Sequence, residues 1–246
     1  TNSFGQLALA LLRSGRRDEA LQKALLVKDK FEAVRSTKYY VLKGFVATAD
    51  VILKLLEDAL TRQAALQAEA DARAARTTMG LRGVSARRRA SAKEATRRRS
   101  SDQMNEGSST GGVRLDDVEA LTKLAEQWIE KLEQFGNIYP VARPRALLLK
   151  GQFQLLQYIE QQAGDGKLTA KALSTFRKSL QCAKSLSMPY DEALALYELG
   201  KHSEELQLEK ERSKHLSQAM ELFEKRGAAY DVNRCKLQLD RGEVRL

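Results

Sequence analysis

The sequence predicts an all-α fold, a solenoid of antiparallel helix pairs that is interrupted by a disordered basic insertion. Composition supports this class, because 43% of the 246 residues are hydrophobic, 30% are charged and only three are proline, proportions typical of amphipathic helices. Apolar residues recur at spacings of three and four, which is the helical period. Prolines stand where helices start and glycines where they end.

Composition divides the chain into helical residues 1–72, a basic linker at 73–114 and helical residues 115–246. In the first part, a short helix over Leu7 to Arg13 ends at Ser14-Gly15. The next helix begins at Asp18-Glu19, where acids suit the positive end of the helix dipole. A long apolar stripe then runs from Tyr39 to Leu60 and predicts one long helix.

The linker carries nearly all of the net charge of +10, since ten basic residues and one acid lie between Arg73 and Arg99. Large apolar residues almost vanish there, so the segment cannot bury enough surface to offset its ordering entropy. We therefore expect it to be disordered or loosely attached. The glycine cluster from Gly107 to Gly112 lacks the Lys and Ser or Thr of a phosphate-binding loop and predicts a flexible connection.

The last part begins with Asp116 and Glu119, which have the form of a capping box. Helical patterns predict five further helices, at residues 142–163, 168–186, 190–208, 210–226 and 229–239. No stretch of the chain approaches the roughly 20 apolar residues that a membrane-spanning helix needs.

Two features repeat along the helices. Gly44, Gly151 and Gly200 each follow an apolar run inside a predicted helix. A glycine there costs about 1 kcal/mol relative to alanine, so we expect a neighbouring helix to approach closely at each position. The second feature is a tyrosine at three helix-pair boundaries, Tyr139, Tyr190 and Tyr230.

Small and large apolar residues alternate between these boundaries, as at Ala219 and Phe223. This pattern, with Leu196, Leu199 and Gly200 before it, resembles a tetratricopeptide-type repeat. It is similar, more narrowly, to the C-terminal repeats of soluble-type class III nucleotide cyclases and related signalling NTPases. The period exceeds the usual 34 residues of the tetratricopeptide repeat, and most units lack its terminal proline.

Sequence patterns indicate no catalytic, cofactor-binding or metal-binding constellation. His202 and His215 lie among polar helical residues and are expected to face solvent or a helix end. Cys182 and Cys235 are far apart, which favours buried, reduced thiols in an intracellular protein over a disulfide or zinc site.

Arginine clusters in the linker support two hypotheses. Ser91 and Ser101 each follow an arginine-arginine-x pattern that basophilic kinases accept, so phosphorylation would place phosphate beside arginine. Alternatively, the clusters form an electrostatic tether to an acidic protein surface or another polyanion; they comprise Arg87, Arg88, Arg89, Arg97, Arg98 and Arg99. Specific nucleic-acid binding is disfavoured, since no aromatic residues are interleaved to stack on bases.

These observations predict a non-catalytic scaffold that binds other proteins, as a segment or subunit of a larger assembly. The alternative is a regulatory repeat region of a multidomain nucleotide cyclase or signalling NTPase whose catalytic domains lie outside this chain. A cytoplasmic location is expected, and the cyclase-like resemblance implies a ciliary or cytoskeletal assembly.

Overall fold

A computed structural model describes residues 2–33, 41–84, 113–160, 167–203 and 209–243. Several predicted sites lie outside these residues: Ser91, Ser101, Arg87, Arg88, Arg89, Arg97, Arg98 and Arg99. Both hypotheses about the linker therefore stay predictions.

The prediction of an all-α protein is confirmed, since the described residues form nine α-helices and no strand. The helices are α1 (Asn2–Arg13), α2 (Arg17–Ala33), α3 (Leu42–Val84), α4 (Val118–Ile138), α5 (Arg143–Glu160), α6 (Lys167–Ser185), α7 (Pro189–Ser203), α8 (Glu209–Glu224) and α9 (Ala229–Glu243). A short 3₁₀ turn at Pro140–Ala142 leads into α5. Among these helices none combines the length and apolar character needed to cross a membrane.

Three helix pairs are joined by the same type of tight turn. After α1, α6 and α8, one residue adopts a positive φ: Gly15 at 84°, Ser187 at 52° and Gly227 at 65°. The next backbone N–H then donates to a carbonyl five residues back, as from Arg16 to Leu11. This geometry satisfies the free carbonyls at a helix end, and glycine adopts it without steric cost at two of the three sites.

Two local predictions differ from the structure. The N-cap of α4 is Asp117 rather than Asp116, because its Oδ1 accepts a hydrogen bond from the backbone N–H of Ala120 at 2.9 Å. Helix α3 continues to Val84, well into the segment predicted as a linker. Alanine, glutamine and arginine in this stretch have high intrinsic helix propensity, so the helix continues although residues 61–75 are exposed.

Each helix packs against the next one in the chain, and α1, α3, α5 and α7 also pack against each other in that order. The helices on both sides of residues 73–114 share one core, since the ring of Phe45 contacts Trp128 and Phe135 with both centroid distances at 5.8 Å. Helix α5 connects this core to a second one, because Leu149 belongs to the first and Leu148 to the second.

The three repeated glycines lie at close helix contacts. A Cβ added at Gly151 of α5 would lie 2.6 Å from Cδ1 of Phe176 in α6, and one at Gly200 of α7 would lie 2.7 Å from Cγ of Leu216 in α8. Gly44 of α3 contacts Gly5 of α1, where an added Cβ on Gly5 would lie 2.8 Å from the Gly44 Cα. Each glycine thus lets a neighbouring helix approach.

Candidate functional site

A cleft of about 350 Å³ lies on the side of the molecule formed by the odd-numbered helices. Its walls come from α3, α5, α7 and α9, and its lining comprises Asp50, Leu53, Lys54, Glu57, Gln152, Leu155, Leu156, Glu198, Lys201, His202, Tyr230 and Arg234. Its apolar part comes from three largely buried leucines, Leu53 of α3 and Leu155 and Leu156 of α5. Four helices that are far apart in sequence thereby contribute to one surface.

One wall of the cleft is held by the buried carboxylate of Glu198. Its Oε1 accepts a 2.8 Å hydrogen bond from Gln152 Nε2 in α5, and its Oε2 lies 3.4 Å from Nε2 of His202. Burial alone would raise the pKa of Glu198, but the hydrogen bond with His202 and the positive charge of Lys201 outweigh burial and lower it to about 2. The carboxylate is therefore ionised at neutral pH and links α5 to α7.

His202 lies in the last turn of α7, at a helix end as expected. Its side chain is only 15% exposed and stacks on Phe176 with ring centroids 6.2 Å apart. His215 is half-buried, and burial is the largest cause of its lowered pKa. The i, i+4 spacing of Glu198 and His202 was the sequence signal for their contact.

Tyr-Asp pairs at the starts of α7 and α9 connect successive helix pairs. Asp191 of α7 accepts from Arg145 Nε of α5 at 3.0 Å, and the Arg145 guanidinium lies 5.7 Å from the centroid of the Tyr190 ring. Tyr190 Oη in turn donates to Asp231 Oδ2 of α9 at 2.9 Å. Burial, followed by this hydrogen bond, raises the pKa of Tyr190 to about 12, so the phenol keeps its proton.

Arg234 extends this network into the cleft. It donates to Asp231 at 3.1 Å, and its guanidinium lies 4.3 Å from the ring centroid of Tyr197 in α7 and 5.9 Å from that of Tyr230. The Arg13 guanidinium of α1 lies 5.3 Å from the Tyr230 centroid. Contacts between arginine and tyrosine therefore connect α1, α7 and α9.

Asp50 of α3 is the carboxyl that this network leaves without a hydrogen-bond donor among the described residues. Burial raises its pKa to about 6, although Arg145, Arg13 and Arg234 act in the opposite direction. Arg145 and Arg234 are already paired with other aspartates. The cost of burying the Asp50 carboxylate is therefore only partly compensated.

Lys201 is the second lining group without an ion-pair contact among the described residues; its charge lies close enough to Glu198 to lower that carboxyl's pKa. By contrast, Lys54 contacts Glu57 at 2.7 Å and Asp58 at 3.5 Å. The cleft thus presents one negative and one positive side chain that other residues do not neutralise directly.

The remaining predicted residues lie in the second core. Ala219 and Phe223 of α8 are fully buried, and Phe223 meets the Tyr190 ring edge-on at 5.6 Å. Cys235 is buried, and burial raises the pKa of its thiol to about 11, whereas Cys182 is only half-buried. High thiol pKa values disfavour nucleophilic chemistry.

The side chains that line the cleft are mostly polar or charged. Over the described ranges, no three His, Cys, Asp or Glu side chains come together as a metal site would require. Glu198 is held ionised by fixed partners. The cleft also presents the exposed ring of Tyr230 and further charged side chains from α3, α7 and α9.

Comparison with known proteins gives no match to any protein family, curated protein or solved structure. The described residues therefore define the protein only as all-α, with a cleft lined mostly by polar and charged side chains.

Proposed function

We propose that the protein is a non-catalytic scaffold that binds a segment of another protein in the cleft of the odd-numbered helices. The observation that carries this proposal is the composition of the cleft from four helices, α3, α5, α7 and α9. A surface built from successive repeats suits an extended partner, since each repeat adds one strip to the same face.

The proposed architecture is a solenoid of antiparallel helix pairs with tetratricopeptide-like character. Contacts between α1 and α3, α3 and α5, and α5 and α7 support it, because one helix of each pair would then line a common inner face. The recurring turns after α1, α6 and α8 support it as well. The resemblance to nucleotide cyclase repeats, and with it the regulatory alternative and the ciliary or cytoskeletal location, stays a prediction.

Tyr230 provides a direct test of binding in the cleft. Its side chain is 62% exposed and lines the cleft, whereas Leu237 on the same helix is equally exposed at 62% and lies outside the lining. The experiment selects binders to the full chain from a displayed random peptide library and measures their affinity for Tyr230→Ala and Leu237→Ala.

We expect Tyr230→Ala to weaken binding about tenfold, which corresponds to loss of one well-packed aromatic contact, and Leu237→Ala to bind as the unmodified chain does. Equal affinity for both variants, or a selection that enriches no peptide, would contradict the proposal. Because both side chains are largely exposed, neither change is expected to unfold the protein.

A further inference from the structure

The charged side chains of the cleft differ in whether another described residue pairs with them. Lys54 is paired with Glu57, Arg234 with Asp231, and Glu198 is bonded to Gln152 and His202. Asp50 and Lys201 have no such contact within the described residues. Their charges are opposite, and they lie on two different helices of the same cleft, α3 and α7.

We infer, on the basis of the proposed function, that the partner is an extended peptide segment that carries one basic and one acidic side chain. The basic side chain would pair with Asp50 and the acidic one with Lys201. Leu53, Leu155 and Leu156 would contact apolar parts of the same segment.

The surroundings of Asp50 favour a cationic partner despite three nearby arginines. Arg145 is engaged by Asp191 at 3.0 Å and Arg234 by Asp231 at 3.1 Å, so much of the charge of these two is already balanced. The third, Arg13, has its guanidinium 5.3 Å from the ring centroid of Tyr230. Burial dominates the environment of Asp50, as its raised pKa shows. A basic side chain that donates to this carboxylate would replace the lost hydration and make a charge-assisted hydrogen bond.

Lys201 of α7 has the complementary role. Its neighbour Glu198 is buried and already accepts from two side chains, which leaves the flexible ammonium of Lys201 available to a partner carboxylate. Attraction between a lysine and a carboxylate adds specificity even where its net contribution to affinity is modest. Two charges of opposite sign also fix the direction in which a peptide lies.

The experiment uses the full chain and the displayed random peptide library, with selections on the unmodified protein and on Asp50→Asn, Lys201→Gln and Lys123→Gln. Lys123→Gln is the matched control, because Lys123 of α4 pairs with Glu119 at 2.7 Å and lies outside the lining of the cleft. Peptides selected on the unmodified protein are expected to contain a basic and an acidic residue at a constant spacing.

We expect Asp50→Asn to lose only the preference for the basic residue and Lys201→Gln to lose only the preference for the acidic residue. Lys123→Gln should keep both preferences. Replacing the basic residue of a selected peptide by glutamine should weaken binding about tenfold to the unmodified protein and leave binding to Asp50→Asn unchanged, as a double-mutant cycle requires for a direct contact.

The outcomes separate this inference from the proposed function. Selected peptides that depend on Tyr230 but ignore the charges of Asp50 and Lys201 would overturn the inference and leave the scaffold proposal standing. A selection that yields no peptide dependent on Tyr230 would overturn both.

Discussion

The guanidinium of Arg13, in the first helix, lies 5.3 Å from the ring centroid of Tyr230, in the last helix. These residues are far apart in sequence, and their contact places the last residue of α1 beside the first turn of α9. Tyr230 therefore both contacts α1 and lines the proposed binding surface.

Replacing Arg13 by alanine should loosen α1 at this contact. A cation–π contact at an exposed site contributes about 0.5–1 kcal/mol, so the change in global stability is expected to be small. Hydrogen exchange of the α1 amides should become faster. The control is Arg16→Ala, because the side chain of Arg16 pairs with Glu19, three residues further along the chain. If α1 exchanged faster in both variants alike, the role of the Tyr230 contact would be contradicted.

Asp50→Asn should stabilise the protein at pH 7 to 8. The folded-state pKa of Asp50 is raised from 3.8 to about 6, so its contribution to stability is complete below the unfolded-state pKa and is lost as pH rises through the folded value. The asparagine variant lacks this loss and should be more stable by about 2 kcal/mol above pH 6. Chemical denaturation at a series of pH values measures the difference.

The comparison for Asp50 is Asp71→Asn, an exposed aspartate on the same helix. Its substitution is expected to change the free energy of unfolding little at any pH. A variant that is more stable yet binds basic peptides less well would assign Asp50 to binding, since residues retained for function are often a cost to stability. Destabilisation by Asp50→Asn at pH 8 would mean that the carboxylate has structural partners instead.

Glu198 should show the opposite dependence on pH. Its folded-state pKa lies at about 2, below its ordinary 4.5, so its stabilising contribution is present above pH 4.5 and is lost as pH falls through the folded value. We expect Glu198→Gln to lower the free energy of unfolding at pH 7 by about 1–3 kcal/mol, because the substitution weakens buried charge-assisted hydrogen bonds. The difference should shrink on acidification.

Glu221→Gln is the control for this prediction, since Glu221 of α8 makes an exposed pair with Lys225, the residue that follows the helix. It is expected to leave thermal unfolding unchanged. A Glu198→Gln variant as stable as the unmodified chain from pH 7 downward would show that the contacts with Gln152 and His202 contribute no net stability.

Gly151→Ala should destabilise the protein although alanine is the better helix former. The intrinsic gain of about 1 kcal/mol is opposed by a clash with Phe176, whose fully buried ring has no space to move aside. Overpacking of this kind costs about 1–3 kcal/mol, so a net loss is expected in denaturant unfolding. Adding Phe176→Leu should recover part of it, because the two changes share one contact.

Gly136 offers the contrasting case. A Cβ there would meet the side chain of Arg143 at 3.2 Å, and a flexible arginine adjusts more readily than a buried ring. Gly136→Ala is expected to be neutral or stabilising. Stabilisation by Gly151→Ala as well would contradict the close packing of α5 on α6.

Local patterns in the sequence were sufficient to predict the helical class and most helix ends, because the apolar period and the terminal glycines are encoded within a few residues. The loss of large apolar residues predicts a linker from residue 73, but α3 extends to Val84. The high helix propensity of alanine and arginine is sufficient to continue the helix there. The shift of the α4 cap to Asp117 is a local choice between two adjacent aspartates.

The cleft could not be predicted in the same way, because its groups come from helices that are distant in sequence. The Tyr-Asp repeat at Tyr190 and Tyr230 was visible, but its partner Arg145 was identified only from the packing of α5 against α7. The unsatisfied state of Asp50 likewise depends on what the surrounding helices bring near it. Sequence periodicity indicates which face of a helix is buried and leaves its tertiary partners open.

The central claim, that the odd-numbered helices form one binding surface, is tested most directly by hydrogen exchange of the full chain with and without a selected peptide. The account predicts added protection in α3, α5, α7 and α9, whose residues line the cleft, and unchanged exchange in α2, α4, α6 and α8. Protection centred on the even-numbered helices would contradict it.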